Sequence, residues 1–117
     1  IILSRRERMI EILNNLISNG IRYNKDGGDL KITLTGGKIP ELCVSDTGVG
    51  ISEENLPHIF SRFYTVDKSH NGTGGGFGLG LAIVRKLCTR AGWKLSVESR
   101  LGEGTTFKIR FFPPKIL

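Results

Sequence analysis

Apolar side chains first recur at helical spacing, at Met9, Ile10, Leu13, Leu16, Ile17 and Ile21, and this period predicts a helix over 5–23. Ser4 and Glu7 stand at capping-box spacing at its start. On a helical projection Leu13 marks the centre of the buried stripe, and Glu11, Asn15, Asn19 and Arg22 project from the other side. The turn formers Asp26-Gly27-Gly28-Asp29 end that period, and a period of two replaces it. Residues 30–34 and 39–45 alternate on either side of Gly36-Gly37, the pattern of an antiparallel hairpin. After a turn over 46–50, Ser52 is placed to cap a short helix through Phe60, kinked at Pro57. Residues 64–78 follow neither period, a length of irregular chain that usually serves as a functional lid. Residues 82–91 are helical again and end at Gly92, and 94–99 and 105–112 alternate across Gly102-Glu103-Gly104.

That element order predicts an α/β fold, a two-layer α+β sandwich with a mixed, mainly antiparallel sheet and helices on one face. Phe107, Ile109 and Phe111 alternate with Lys108 and Arg110, as a sheet buried on one side requires. A chain of 117 residues has room for one core, so residues 1–117 form a single domain. The net charge of +6 admits a nucleic acid, a membrane surface or an anionic small molecule as partner. Lys and Arg are scattered from Arg5 to Lys115 and are not interleaved with aromatics, which argues against a nucleic-acid groove. No apolar run approaches the ~18 residues of a membrane span, and Arg5, Arg6, Glu7 and Arg8 do not begin a signal peptide. Cys43 and Cys88 lack metal-ligand spacing and read as reduced thiols in a cytosolic setting.

Three groups of residues carry candidate chemistry. The glycine-saturated run from Gly72 to Leu81 opens directly into a helix, and unpaired amides at a helix start attract polyphosphates; flexible linkers also collect glycines. Counting by twos from Leu42 and Val44 puts Asp46 on the apolar face of its strand, before Thr47-Gly48-Val49-Gly50. A carboxylate there needs a partner. It either accepts from a ligand amine, which would select adenine over guanine, or caps its own turn through a bond from Gly48. Asn15 and Asn19, one helical turn apart, could complete the shell of a magnesium ion whose other ligands are phosphate and water, or could simply face solvent. No Gly-Lys-Ser/Thr follows the glycines, no dinucleotide spacing occurs, and His58 and His70 are too isolated for a zinc site or a triad.

In order and spacing these motifs resemble the catalytic ATP-binding domain of a sensor histidine kinase, of the GHKL ATPase/kinase superfamily, over nearly the whole chain. Residues Leu13 to Tyr23 resemble its N box, Asp46 to Ile51 its first glycine box and Ile59 to Tyr64 its F box. Gly76 to Val84 resemble the second glycine box, and Gly102 to Phe107 the last. The resemblance implies a Bergerat-type fold that binds ATP and Mg2+. Asp46 would accept from adenine, Thr105 would support it, Tyr23 would pack beside the base and Asn19 would ligate the metal. Gly48, Gly50, Ile51 and Phe60 would line the nucleotide site. Arg22 and the main chain from Gly76 through Gly78, Leu79, Gly80 and Leu81 would hold the phosphates, under a lid at about 64–78. Relatives that hydrolyse ATP carry a glutamate where this chain has Asn15, which favours phosphoryl transfer, although Glu11 lies one turn earlier. Thr65, His70 and Phe77 depart from the family pattern, so charge on the moving phosphate falls to Arg62, Lys68 or a second domain. Strand material is expected before the first helix, where this chain starts. The partners implied are a histidine-bearing dimerisation domain of the same kinase and a response-regulator receiver domain, with no nucleic acid and no membrane contact by this domain. The setting implied is the cytoplasmic part of a larger membrane-anchored sensor. A serine kinase or hydrolase of the same superfold, and a non-enzymatic basic nucleic-acid module, are the alternatives.

Overall fold

The computed structural model describes residues 5–61 and 80–112. In chain order they form α1 (Arg5–Arg22), β1 (Leu30–Thr35), β2 (Glu41–Asp46), a 3-10 turn (Leu56–His58), α2 (Gly80–Ala91), β3 (Lys94–Arg100) and β4 (Gly104–Arg110). The strands make one sheet in the order β1-β2-β4-β3, and all three pairings are antiparallel. The two-layer sandwich is therefore as expected, while the parallel part of a mixed sheet is not found among the described residues. Ser4, the lid at 64–78 and the F-box residues after Ser61 lie outside the described residues.

Registry explains how one face carries both core and site. Leu34, Leu42, Ile109 and Leu95 share one inward row, and Ile32, Val44, Phe107 and Val97 share the next. The third inward row is Leu30, Asp46, Thr105 and Ser99. The inner face thus runs from aliphatic to polar along the strands. Leu42, Val44, Phe107 and Ile109 are buried there under Ile12 and Leu16 of α1 and Val84 and Cys88 of α2, with Ile59 closing the cluster. On the outer face Lys108 meets Glu98 at 3.9 Å and Arg110 meets Glu41 at 4.0 Å. Such exposed pairs contribute roughly 0–1 kcal/mol each, so the inner layer carries the stability.

The buried stripe of α1 is displaced from its expected centre. Ile12 and Leu16 are fully buried, Leu13 is only half-buried, and Ile10 and Ile21 are 48% and 65% exposed. The arc instead runs through positions 12, 16 and 20, because buried Gly20 lets the helix settle onto Leu30 and Asp46. A glycine adds nothing to an apolar period, so the sequence pattern weights the wrong edge of the stripe. Asn15 and Asn19 consequently border the buried arc, half-buried, and do not project from the opposite side.

Two further boundaries differ. The expected helix over 52–60 is only the 3-10 turn, since the amides of Asn55 and Leu56 both turn back to the Ser52 carbonyl at 3.1 Å and Pro57 has no N–H to extend a ladder. The second helix already includes Gly80 and Leu81, two residues ahead of its period and inside the glycine box. It ends as expected at Gly92: the Trp93 amide donates to the Cys88 carbonyl at 2.9 Å and the Gly92 amide to Thr89 at 3.2 Å, a Schellman closure. Trp93 then packs edge-to-face on Phe111, with centroids 4.8 Å apart.

The displaced stripe is testable. Ile12→Ala should lower the free energy of unfolding by about 2–5 kcal/mol, and Ile21→Ala by no more than about 0.5 kcal/mol, in urea denaturation followed by tryptophan fluorescence. Similar losses at both positions would contradict the packing described.

Candidate functional site

The polar inward row ends β2 where the chain turns from sheet into loop. Asp46 is 9% exposed and Thr105, its partner across the ladder, 6%. Asp46 Oδ1 accepts the Gly48 amide at 2.8 Å and the Thr105 amide at 3.3 Å. The turn-capping bond expected as an alternative therefore exists, but it engages one oxygen. Oδ2 takes no hydrogen bond from the described residues and points toward Gly20, where a Cβ would stand 3.8 Å away. The two readings of this carboxylate are thus compatible, one on each oxygen.

Close main-chain packing fixes the carboxylate's surroundings. A Cβ at Gly48 would collide with the Tyr23 carbonyl, and that carbonyl accepts the Val49 amide at 3.1 Å. Gly50 and Gly104 adopt φ of +75° and +122°, and a Cβ on them would meet the carbonyls of Arg100 and Asp46. Both the left-handed backbone and the lack of space demand glycine at these two positions. On the other flank Thr47 Oγ1 accepts the Asp29 amide at 2.8 Å, and Asn24 Nδ2 donates to the Asp29 carbonyl at 2.8 Å. This bracing ties the end of α1 to the Asp46 turn. Neither Asn24 nor Thr47 is singled out by motif spacing; the turn residues around Asp26 were the signal.

Asn15 and the start of α2 face each other. Asn15 Nδ2 donates to the Glu11 carbonyl at 2.8 Å, and a Cβ at Gly80 would lie 2.9 Å from Asn15 Oδ1. Gly80 and Leu81 are helical residues at the described N-terminal end of α2. Asn19, one turn beyond Asn15, is half-buried, and its side-chain amide makes no hydrogen bond with described residues. No group of three or more His, Cys, Asp or Glu able to hold a metal occurs among the described residues. One amide oxygen fits a hard cation only where phosphate and water complete the shell. Arg22 lies 5.5 Å over the ring of Tyr23, a cation–π contact at the end of α1.

The expected residues are therefore only partly gathered. Asp46, Gly48 and Thr105 form one hydrogen-bonded wall that Ile51 joins through Ser99 and Gly50 through close packing on Arg100, with Gly20 of α1 against Asp46. Asn15, Asn19, Arg22 and Tyr23 lie along α1, and Gly80 and Leu81 at the head of α2. Phe60 is placed otherwise: it packs edge-to-face on Phe107 at 6.2 Å and lines a cleft of about 390 Å3 with Leu56, Pro57, Arg85, Cys88 and Trp93. Burial pushes the Cys88 thiol in that cleft up to about 11, so it stays protonated and unreactive. Arg62, Lys68, Gly76, Gly78 and Leu79 lie outside the described residues.

Burial raises Asp46 above its ordinary 3.8, and the amides of Gly48 and Thr105 only partly counter that. The folded state then holds a proton that the unfolded chain has lost. Stability contributed by this group is greatest below the ordinary value, falls as pH rises through the raised one, and stays lower above it. Asp46→Asn keeps an oxygen for both amides and removes the titration. The stability of wild type should therefore fall relative to the variant as pH rises through that acidic interval, leaving the variant the more stable near neutrality. Parallel stability curves from pH-dependent urea denaturation would refute this.

Known proteins with this arrangement agree on one family. The family of histidine kinase-, DNA gyrase B- and HSP90-like ATPases matches residues 4–116. The sensor histidine kinase YkoH of Bacillus subtilis (strain 168) is 39% identical over 105 residues, 90% of this chain and 23% of its own. The chain thus spans under a quarter of that relative's length. Among solved structures, the mycobacterial sensor histidine kinase MprB superposes with a TM-score of 0.78 at 25% identity, covering 94% of this chain and 75% of that one. Full-length ShkA in complex with AMPPNP gives 0.76 at 29% identity over 89% of this chain and 21% of its own.

Proposed function

The chain belongs to the family of histidine kinase-, DNA gyrase B- and HSP90-like ATPases, and from that premise we propose that it acts as the ATP-binding catalytic domain of a sensor histidine kinase. One observation carries the reading: Asp46 has one oxygen saturated by main-chain donors and the other left open beside Gly20. An ionised, desolvated acceptor in that position selects an exocyclic amine and repels a carbonyl. Adenine is recognised there, with Tyr23 beside the base and Thr105 behind it.

The triphosphate extends toward the N-terminal end of α2, where the main chain at Gly80 and Leu81 and the positive end of the helix dipole attract it. Arg22 adds charge from α1. Asn19 is the protein's ligand to Mg2+, a fit supported by its uncommitted amide. When bound, that ion neutralises charge on the phosphate oxygens. Arg62 and Lys68 are the candidates for charge on the transferred group. Asn15, an amide whose Nδ2 is committed to Glu11, is a poor general base for activating water. The γ-phosphoryl group is accordingly passed to a histidine on a separate dimerisation domain, from which a response-regulator receiver domain takes it. No helix among the described residues is long and apolar enough to cross a membrane; the domain works on the cytoplasmic side of a larger membrane-anchored sensor.

Calorimetric titration with ATP and GTP, each with and without Mg2+, tests purine choice and metal together. Asp46→Asn should reduce ATP affinity about tenfold or more, because a donor amide would face a donor amine and leave buried groups unpaired. Affinity close to wild type would remove Asp46 from the site. Asn19→Ala should abolish the extra affinity that Mg2+ confers while leaving metal-free binding near its original level. An equal loss in both conditions would end its metal assignment. Transfer of labelled phosphate to an isolated histidine-bearing acceptor domain checks the reaction.

A further inference from the structure

Ser99 lies outside every motif considered above, yet it ends the inward row that holds Asp46 and Thr105. A serine hydroxyl has one proton and two lone pairs. Ser99 Oγ lies 2.9 Å from the Gly104 carbonyl, and since a carbonyl only accepts, the proton goes there. One lone pair takes the Ile51 amide at 2.7 Å. The other faces Thr105 Oγ1 at 2.8 Å, so in that bond Thr105 must donate. The heavy atoms alone leave this direction open; the inventory of Ser99 closes it.

The same count covers the rest of the inward row and the amides that meet it. The amides of Gly48 and Thr105 are committed to Asp46 Oδ1, and that of Ile51 to Ser99. Both hydroxyl protons are committed as well. Among the described residues, only acceptors remain on this row, namely Asp46 Oδ2 and the lone pairs of Thr105; the Gly50 amide, which donates to no described residue, belongs to the loop after β2 and not to the row. We infer that Ser99 is the positioning residue that makes the inward row of Asp46 and Thr105 acceptor-only, and thereby sets a preference for a 6-amino purine over a 6-oxo purine. The inference rests on the adenine-binding reading and adds to it the residue that fixes the wall's polarity. A 6-oxo purine in the same plane brings its carbonyl against Asp46 and finds no donor on that row to receive it.

Removing the Ser99 hydroxyl frees two donors, the Thr105 hydroxyl proton and the Ile51 amide. In Ser99→Ala the ratio of ATP to GTP affinity should fall about tenfold, the value of one hydrogen bond regained by the oxo purine, and Ser99→Thr, which keeps the hydroxyl, should restore it. Equal weakening of both nucleotides would show a merely structural role and overturn the inference. Neutron diffraction from deuterium-exchanged, unliganded wild type gives a readout independent of nucleotide and of the variants' folding. The deuteron on Thr105 Oγ1 should point to Ser99, and that on Ser99 Oγ to the Gly104 carbonyl; a Ser99 deuteron directed at Thr105 would overturn the assignment. Wild type that binds neither purine, with deuterons as assigned, would instead sink the adenine reading and the preference built on it.

Discussion

Asp46 Oδ1 is gripped by two main-chain amides from different directions, one in its own turn and one across the ladder. That grip makes the carboxylate rigid and divides its oxygens into one that serves the fold and one that no described residue engages. It also explains why the surrounding backbone is so tightly drawn. Gly48, Gly50 and Gly104 each pass where a side chain would collide with a main-chain or Asp46 atom, so the loop after β2 and the loop before β4 can both reach the carboxylate. Without those approaches the inner face would simply continue as aliphatic core.

On the proposed reading, binding chemistry is divided between two kinds of structure. The base-selecting wall is built on β2, β3 and β4, where registry and hydrogen bonds hold donors and acceptors in fixed directions. The anion-attracting element is the head of α2, which approaches α1 closely enough that Asn15 and Gly80 leave no room for a Cβ between them. A rigid selector beside an open helix start suits a ligand with a planar head and a charged tail, since the head needs directional contacts and the tail mainly needs charge.

Much of this was legible from the sequence. Alternation from Leu42 through Val44 placed Asp46 inward because a strand's period is two, and the structure keeps that parity through Thr105 and Ser99. Gly92 announced the end of α2. The stripe on α1 was misread because Gly20 is buried without being apolar, so Ile12 was passed over and the two asparagines were turned away from a site they border. Residues 52–60 looked helical from Ser52 onward, yet what orders them is the insertion of Ile59 into the core and of Phe60 against Phe107, contacts distant in sequence. Ser99 was invisible for a different reason. A serine in an alternating strand carries no mark of the three bonds it will make.

The raised titration point of Asp46 has an implication for how this fold can change. An ionised group kept in a desolvated place is a standing strain on the empty molecule, relieved only when something with a proton to share arrives. Replacing it with an uncharged residue is therefore a direct route to greater robustness, and screening for thermostability alone would favour that replacement while erasing the proposed purine contact. On the proposed reading, recognition by this carboxylate and fragility of the unliganded state are two sides of one burial.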